Sequence, residues 1–240
     1  MRPSIWISLA IVFFVILLLA KAPAWVLVDV IAKQQPNLLM GNASGTVWGG
    51  ELETLQVENI TISGLSWSLN PIGLFMGMPL HINITGPIQG SADVGMNSKG
   101  ILRLRDVEAS GDLAAIMDIV DIPSMGFDGD LALNLQQAEL NASSCLSMAG
   151  QFTVNSLVGD IDGVSDIAPV SAKLHCADNL VIAEVDENNT ARLRGTVTAG
   201  LNGRVNGQIT LSPELNSDLF KSLTQFMGRP HNNADFILRF

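Results

Sequence analysis

The sequence predicts a mainly β protein, in which an N-terminal transmembrane helix precedes one antiparallel β-rich body with a few short helices. The stretch Ile5–Ala20 contains sixteen residues without a charge. The body that follows alternates apolar and polar residues in short runs, which is the period of a half-buried strand. Turn signals recur at roughly ten-residue intervals, a spacing typical of antiparallel sheets, so the body is expected to be a curved sheet or a sandwich.

The apolar stretch predicts a membrane anchor at residues 5–24, preceded by residues 1–4. Twenty helical residues rise about 30 Å, the thickness of a bilayer's hydrocarbon core. Arg2 and Lys21 flank the stretch on opposite sides, so the positive-charge rule leaves its orientation open. A cleaved signal peptide is the alternative, because small residues around Pro23 resemble a cleavage site. The length of the run and the proline itself favour a retained anchor.

Residues 25–34 predict a short interfacial helix that places Trp25 at head-group depth. Pro36 ends this helix. No Pro- or Ser-rich linker divides the remainder, so residues 35–240 are expected to form one domain. Within it, the run Gly41–Gly50 combines four glycines with Trp48, which predicts tight backbone geometry beside a large aromatic ring. This run lacks the lysine of a phosphate-binding loop.

Strands are predicted wherever apolar and polar residues alternate. A phase slip at Gly64 indicates a bulge or bend between two strands, and Asn202-Gly203 and Asn206-Gly207 offer hairpin turns. The predicted strands lie within residues 57–62, 65–69, 80–84, 102–105, 131–135, 180–185, 193–211 and 234–240.

Two helices are predicted within the body. Asp112 caps the first, whose apolar residues from Leu113 onward follow helical spacing until Pro123. The second is expected to begin at Ser212-Pro213-Glu214, with a cap, a first-turn proline and an acid, and to end at Gly228.

The charge balance excludes some partners. Arg2 and Lys21 are the only charged residues before Asp29, which leaves 11 basic and 23 acidic residues in the body. Nucleic acids and anionic lipid surfaces both require clustered lysine and arginine, so neither is an expected partner.

No catalytic site, cofactor site or metal site is predicted, so the protein is not expected to be an enzyme. His175 and Cys176 are neighbours, and in a strand they point to opposite faces, which separates base from nucleophile. His81 and His231 lie in polar surroundings, and the cysteines lack zinc-site spacing.

The two cysteines, Cys145 and Cys176, leave two readings open. A disulfide between them would close a loop of roughly thirty residues, worth about 3–4 kcal/mol in the chain-entropy model. Two buried free thiols are the alternative. The predicted anchor suggests an exported body and favours the disulfide.

Three motifs in order resemble a known family. They are Pro23-Ala24-Trp25, then Gly45-Thr46-Val47-Trp48-Gly49-Gly50, then Leu65-Ser66-Trp67-Ser68-Leu69-Asn70-Pro71. This pattern is similar to protein N of the bacterial type II (general) secretion system, most strongly over residues 1–90. The candidate motif and interaction residues are therefore Gly45, Thr46, Val47, Trp48, Gly50, Trp67 and Pro71.

The resemblance implies a cytoplasmic N-terminus, an inner-membrane anchor and a periplasmic body. It also supports the disulfide, because that compartment is oxidising. The implied function is that of a non-enzymatic accessory or assembly component, which contacts other secretion proteins through strand edges or the Trp48 region. The alternative is a lipid-binding or lipid-transfer module, in which a sheet with one apolar face forms a groove for lipid.

Overall fold

The computed structural model describes residues 11, 13, 14, 17, 18, 20–34, 38–57, 60–119, 128–159, 162–232 and 234–240. Their fourteen strands are β1 (Leu38–Met40), β2 (Ala43–Thr46), β3 (Gly49–Val57), β4 (Ile60–Leu69), β5 (Leu80–Thr85), β6 (Ile88–Met96), β7 (Leu102–Asp112), β8 (Asp130–Leu140), β9 (Cys145–Val154), β10 (Val170–Ala177), β11 (Leu180–Val185), β12 (Arg194–Ala199), β13 (Val205–Leu211) and β14 (Phe236–Arg239). The helices are α1 (Ala24–Gln34), α2 (Pro71–Met76), α3 (Leu113–Ile119) and α4 (Asp218–Met227), with a 3-10 turn at Val164–Ile167.

All fourteen strands belong to one antiparallel sheet. From β3 to β14 each strand pairs with the next one along the chain. β1 and β2 both pair with β3 in one continuous register, so together they form one edge of the sheet. The predicted antiparallel β class with a few short helices is confirmed. The sandwich alternative is wrong, because the described strands form one sheet and no second one.

The register separates the sheet into an apolar face and a polar face. Each pair of opposed residues shares a face, so every row of partners can be followed across the strands. One apolar row crosses β3 to β14 through Leu52, Leu65, Ile84, Gly90, Ala109, Leu133, Phe152, Ala172, Val185, Gly195, Ile209 and Leu238. The adjacent row on the opposite face is polar throughout: Glu51, Ser66, Asn83, Ser91, Glu108, Asn134, Gln151, Lys173, Glu184, Thr196, Gln208 and Arg239.

The sheet is largely a single layer. The chain exposes 15323 Å² of surface, whereas a compact monomer of this mass would expose about 10,400 Å². Most side chains of the apolar row are only half-buried. A compact cluster forms where α4 covers the end of the sheet, and it consists of Ala191, Leu211, Leu219 and Phe236.

Two predicted local features are wrong in position. α4 begins at Asp218, where the Ser217 side chain accepts a hydrogen bond from the Phe220 N–H at 3.1 Å. It does not begin at Ser212, because the Ser212 hydroxyl forms hydrogen bonds with Arg194 and Asp235 instead. Asn206-Gly207 lies inside β13, and Asn202-Gly203 makes the β12–β13 turn.

Other predicted elements agree with the structure or are modified by it. Asp112 caps α3 by accepting the Ala115 N–H at 3.1 Å, while Val120 and Pro123 lie outside the described residues. The phase slip at Gly64 falls within β4, where its φ of 67° bends one strand that was predicted as two.

No helix among the described residues is long and apolar enough to span a membrane. Residues 1–4 and much of the predicted anchor at 5–24 lie outside the described part of the chain. α1 occupies the place of the predicted helix at 25–34, and its location at a membrane interface stays a prediction.

A polar clamp joins the last three strands. Arg194 on β12 donates to the Ser212 hydroxyl at 2.9 Å and to the Asp235 carboxylate at 3.3 Å. Ser212, which follows β13, donates to the other Asp235 oxygen. The Ser212 hydrogen bond and the nearby Arg194 guanidinium hold the pKa of Asp235 below its usual value, against the opposing effect of burial.

This clamp predicts a pH-dependent stability. The folded pKa of Asp235 lies below its unfolded value of about 3.9, so the carboxylate stabilises the fold above that pH. The stabilisation is lost as the pH falls through the folded pKa. Asp235→Asn should lower the melting temperature at neutral pH. It should also reduce the decrease in melting temperature that occurs as the pH is lowered. Circular dichroism melts across this pH range check it, with Glu187→Gln as an exposed control; parallel profiles for wild type and Asp235→Asn would contradict the clamp.

Candidate interaction site

The glycine-rich run forms the first hairpin of the sheet. Val47 and Trp48 make the turn between β2 and β3, and Gly45 adopts a φ of +89°. The Val47 N–H donates to the Ala22 carbonyl at 2.9 Å, and Pro23 forms a bridge with Thr46. The hairpin therefore connects the sheet to the segment that leads into α1.

Trp67 on β4 contacts this hairpin through a hydrogen bond and its ring. Its indole N–H donates to the Val47 carbonyl at 3.1 Å. The ring lies against Gly50, where an added Cβ would stand 2.6 Å from the indole Cζ2 atom. The Leu69 N–H donates to the Trp48 carbonyl at 2.7 Å. A Cβ added at Gly50 would also stand 2.6 Å from the Ser44 carbonyl oxygen. The aromatic ring beside this glycine is thus Trp67, whereas the sequence alone assigned it to Trp48.

Pro71 completes the group of motif residues. It occupies the first turn of α2, and the Asn70 side chain caps that helix by accepting the Ile72 N–H at 2.9 Å. The sequence indicated only that a strand ends at residue 69, and it missed the helix. The candidate residues Gly45, Thr46, Val47, Trp48, Gly50, Trp67 and Pro71 thus lie along β2–β4 and the start of α2. Hydrogen bonds around the hairpin make a joint between the sheet and the start of α1. Contact of these residues with a partner protein stays a prediction.

The apolar face is the largest candidate surface. Twelve strands at about 4.8 Å spacing make its central row about 50 Å long. α3 and α4 lie along the same margin of this face. Ile116 of α3 packs beside Gly111, and Leu219 of α4 packs on Leu211 and Phe236. The opposite margin, which includes Leu80, carries α2 between the end of β4 and the start of β5.

The polar face carries two shallow depressions. One of about 640 Å³ is lined by Asn83, Ser91, Glu108 and Asn134 of the polar row. A second of about 450 Å³ continues from Asn83 towards β2. Within the described ranges, no three metal-ligating side chains come together.

His81 and the two cysteines make separate contacts. His81 contacts Asp93 at 2.7 Å, and both side chains are exposed. Cys145 of β9 and Cys176 of β10 are joined by a disulfide, with Cα atoms 5.5 Å apart. This separation is usual for a disulfide between neighbouring strands. The bond ties these strands together at the margin opposite α3 and α4.

The joint predicts a sharp difference between two adjacent glycines. Gly50→Ala should displace the Trp67 ring, crowd the Ser44 carbonyl of β2 and destabilise the protein by about 1–3 kcal/mol, the usual cost of overpacking. Gly49→Ala is the matched control, because its Cβ would approach nothing closer than the Trp67 carbonyl at 3.8 Å. Chemical denaturation and near-ultraviolet circular dichroism check both variants; equal stability would show that the ring does not depend on Gly50.

Comparison with known proteins identifies a matching family and two relatives. The family model for protein N of the type II secretion system matches residues 36–238. The chain is 27% identical to type II secretion system protein N of Aeromonas hydrophila, over 97% of this chain and 95% of the relative. It is 24% identical to the protein of the same name from Klebsiella pneumoniae, over 88% and 84% of the two chains. No solved structure matches.

The match covers most of the chain and includes the β2–β3 hairpin, the apolar face and α4. The sequence resemblance is therefore confirmed: the chain belongs to the type II secretion system protein N family.

Proposed function

We propose that the protein is a non-enzymatic accessory or assembly component of the type II secretion system, anchored in the inner membrane. Family membership is the observation that carries this proposal. In it, residues 1–4 are cytoplasmic, residues 5–24 cross the membrane, and residues 35–240 form one periplasmic domain. The domain supports export of folded proteins from the periplasm across the outer membrane by contacting other components of the machine.

Two structural features support an anchored interaction role. Trp25, Val30 and Ile31 of α1 are exposed apolar side chains, which suit a helix at the membrane interface. The hairpin joint holds the start of α1 to β2 through backbone hydrogen bonds. A body held this closely to its anchor presents its sheet at a defined position relative to the bilayer.

A genetic experiment tests this role. Deletion of the gene should reduce export of a folded periplasmic substrate while transport across the inner membrane stays normal. Wild-type protein should restore export. A variant whose residues 5–24 are replaced by a cleavable signal peptide should restore it less, because the body loses its position. Full export in the deletion strain would rule out a required role, and full rescue by the released body would rule out the need for an anchor.

The apolar face favours a second candidate function, the binding of lipid acyl chains. An acyl chain carries no hydrogen-bonding group, and its burial requires only apolar surface. The central row offers apolar residues across twelve consecutive strands, and most of their side chains are half-buried. Gly90 and Ala109 are small, so the apolar face is recessed where they lie. α3 and α4 lie along one margin of this face. Lipid would then be handled beside the membrane that holds the anchor.

Matched substitutions on one strand test lipid binding. Ala109→Trp should obstruct the apolar row and lower the amount of lipid that copurifies with the full-length protein. Glu108→Trp places the same ring on the polar face of β7 and should leave that amount unchanged. Lipid extraction and mass spectrometry measure both. Absence of lipid from the wild type, or equal loss from both variants, would exclude an acyl-binding face.

A further inference from the structure

We propose that the free edge of β14 binds an extended partner segment in which apolar and acidic residues alternate. This inference rests on the proposed function and deepens it, because it states the chemistry of a partner segment. Three features of the C-terminal end of the sheet carry it: outward backbone groups, exposed apolar side chains and a basic cleft. A fourth is the partial covering of the opposite sheet edge.

The backbone of β14 is paired on one side only. Phe240 exchanges both backbone hydrogen bonds with Gly207 of β13, at 3.0 and 3.2 Å. In an antiparallel ladder such exchanging positions recur every second residue, so Leu238 and Phe236 also face β13. The N–H and C=O groups of Ile237 and Arg239 therefore point outward, where no described strand pairs with them. A bound strand would find four hydrogen-bonding groups there.

The apolar side of this edge is exposed. Leu238 is 42% exposed and Phe240 is 56% exposed, and both belong to the apolar face. An added strand would place every second side chain beside them and extend the apolar rows by one position. The partner segment is therefore expected to have apolar residues at alternate positions.

The other side of the edge is a basic cleft. A cavity of about 600 Å³ runs along β14 and includes Arg229, His231 and Arg239. Asp235 is the acid that lines it, and its two carboxylate oxygens already accept hydrogen bonds from Ser212 and Arg194. In a chain of net charge −10, such a cleft favours acidic side chains at the remaining positions of the partner.

The covering of the opposite sheet edge favours β14 as the binding edge. The charges at β14 favour an acidic partner over a second copy of this chain. At the N-terminal edge, Pro23 bridges Thr46 and α1 contacts β1 and β2, so that edge is partly covered. At β14, His231 pairs with Asp235 through two backbone hydrogen bonds, so the open stretch begins at Ile237. A second copy of this chain would bring Arg229 and Arg239 close to their own counterparts, and this repulsion favours an acidic partner instead.

The test measures binding of labelled peptides to the full-length protein in lipid nanodiscs by fluorescence anisotropy. A peptide of alternating valine and glutamate should bind, and binding should weaken as salt is raised. The valine–lysine peptide should not bind. Ile237→Pro removes an outward N–H without removing a bond to β13, and it should weaken binding by about tenfold. Arg239→Glu should weaken it similarly without altering the ladder.

Arg204→Glu, in the exposed turn between β12 and β13, is the matched charge control and should bind like wild type. On peptide binding, hydrogen exchange at the amides of Ile237 and Arg239 should slow. Failure of the valine–glutamate peptide to bind, equal binding of the lysine peptide, or unchanged affinity in both edge variants would overturn the proposal. So would a wild-type dimer that Ile237→Pro dissociates, because a second copy would then occupy the edge. The peptide measurement does not depend on secretion, so its failure is distinguishable from failure of the proposed function.

Discussion

The register of the antiparallel ladder is the constraint on which the rest of this structure depends. Because side chains alternate with a period of two, a slip of one residue would exchange the apolar and polar faces of every later strand. The chain contains such a slip at Asp106 on β7, whose φ is 47°, and another at Gln136 on β8. The two irregularities lie opposite each other, so the bulges match and the apolar and polar rows continue on their own sides past them.

This continuity has an energetic consequence. A single layer buries each apolar side chain only partly, so backbone pairing between consecutive strands has a large share in holding the body together. Additional fastening occurs at three places. Trp67 and Gly50 secure the first hairpin, the disulfide between Cys145 and Cys176 joins two central strands, and α4 with the Asp235 clamp closes the last strands. Between these points the apolar face stays accessible, and both proposed binding modes use surfaces that this architecture leaves open.

Sequence reasoning succeeded where the physics is local and failed where distant residues compete for one group. Alternation located strands, and Asp112 was identified as a cap because capping involves residues within one turn. Ser212 was misassigned as a helix start because its hydroxyl instead bonds Asp235 far along the chain. The glycine requirement at Gly50 was recognised, but the ring responsible belongs to the next strand. The β14 edge escaped notice because its cleft is assembled from a loop and a strand.

The sequence by itself determined the β class, the alternation that makes two unlike faces, and the motif order that identifies the protein N family. These properties follow from residue type and near-neighbour spacing. Only the tertiary structure decided that the fourteen described strands form one sheet, that the motif residues build a joint beside α1, and that β14 has outward backbone groups with which no described strand pairs. Those features depend on which strands pair and on what covers them, and such long-range choices have no signature in local spacing.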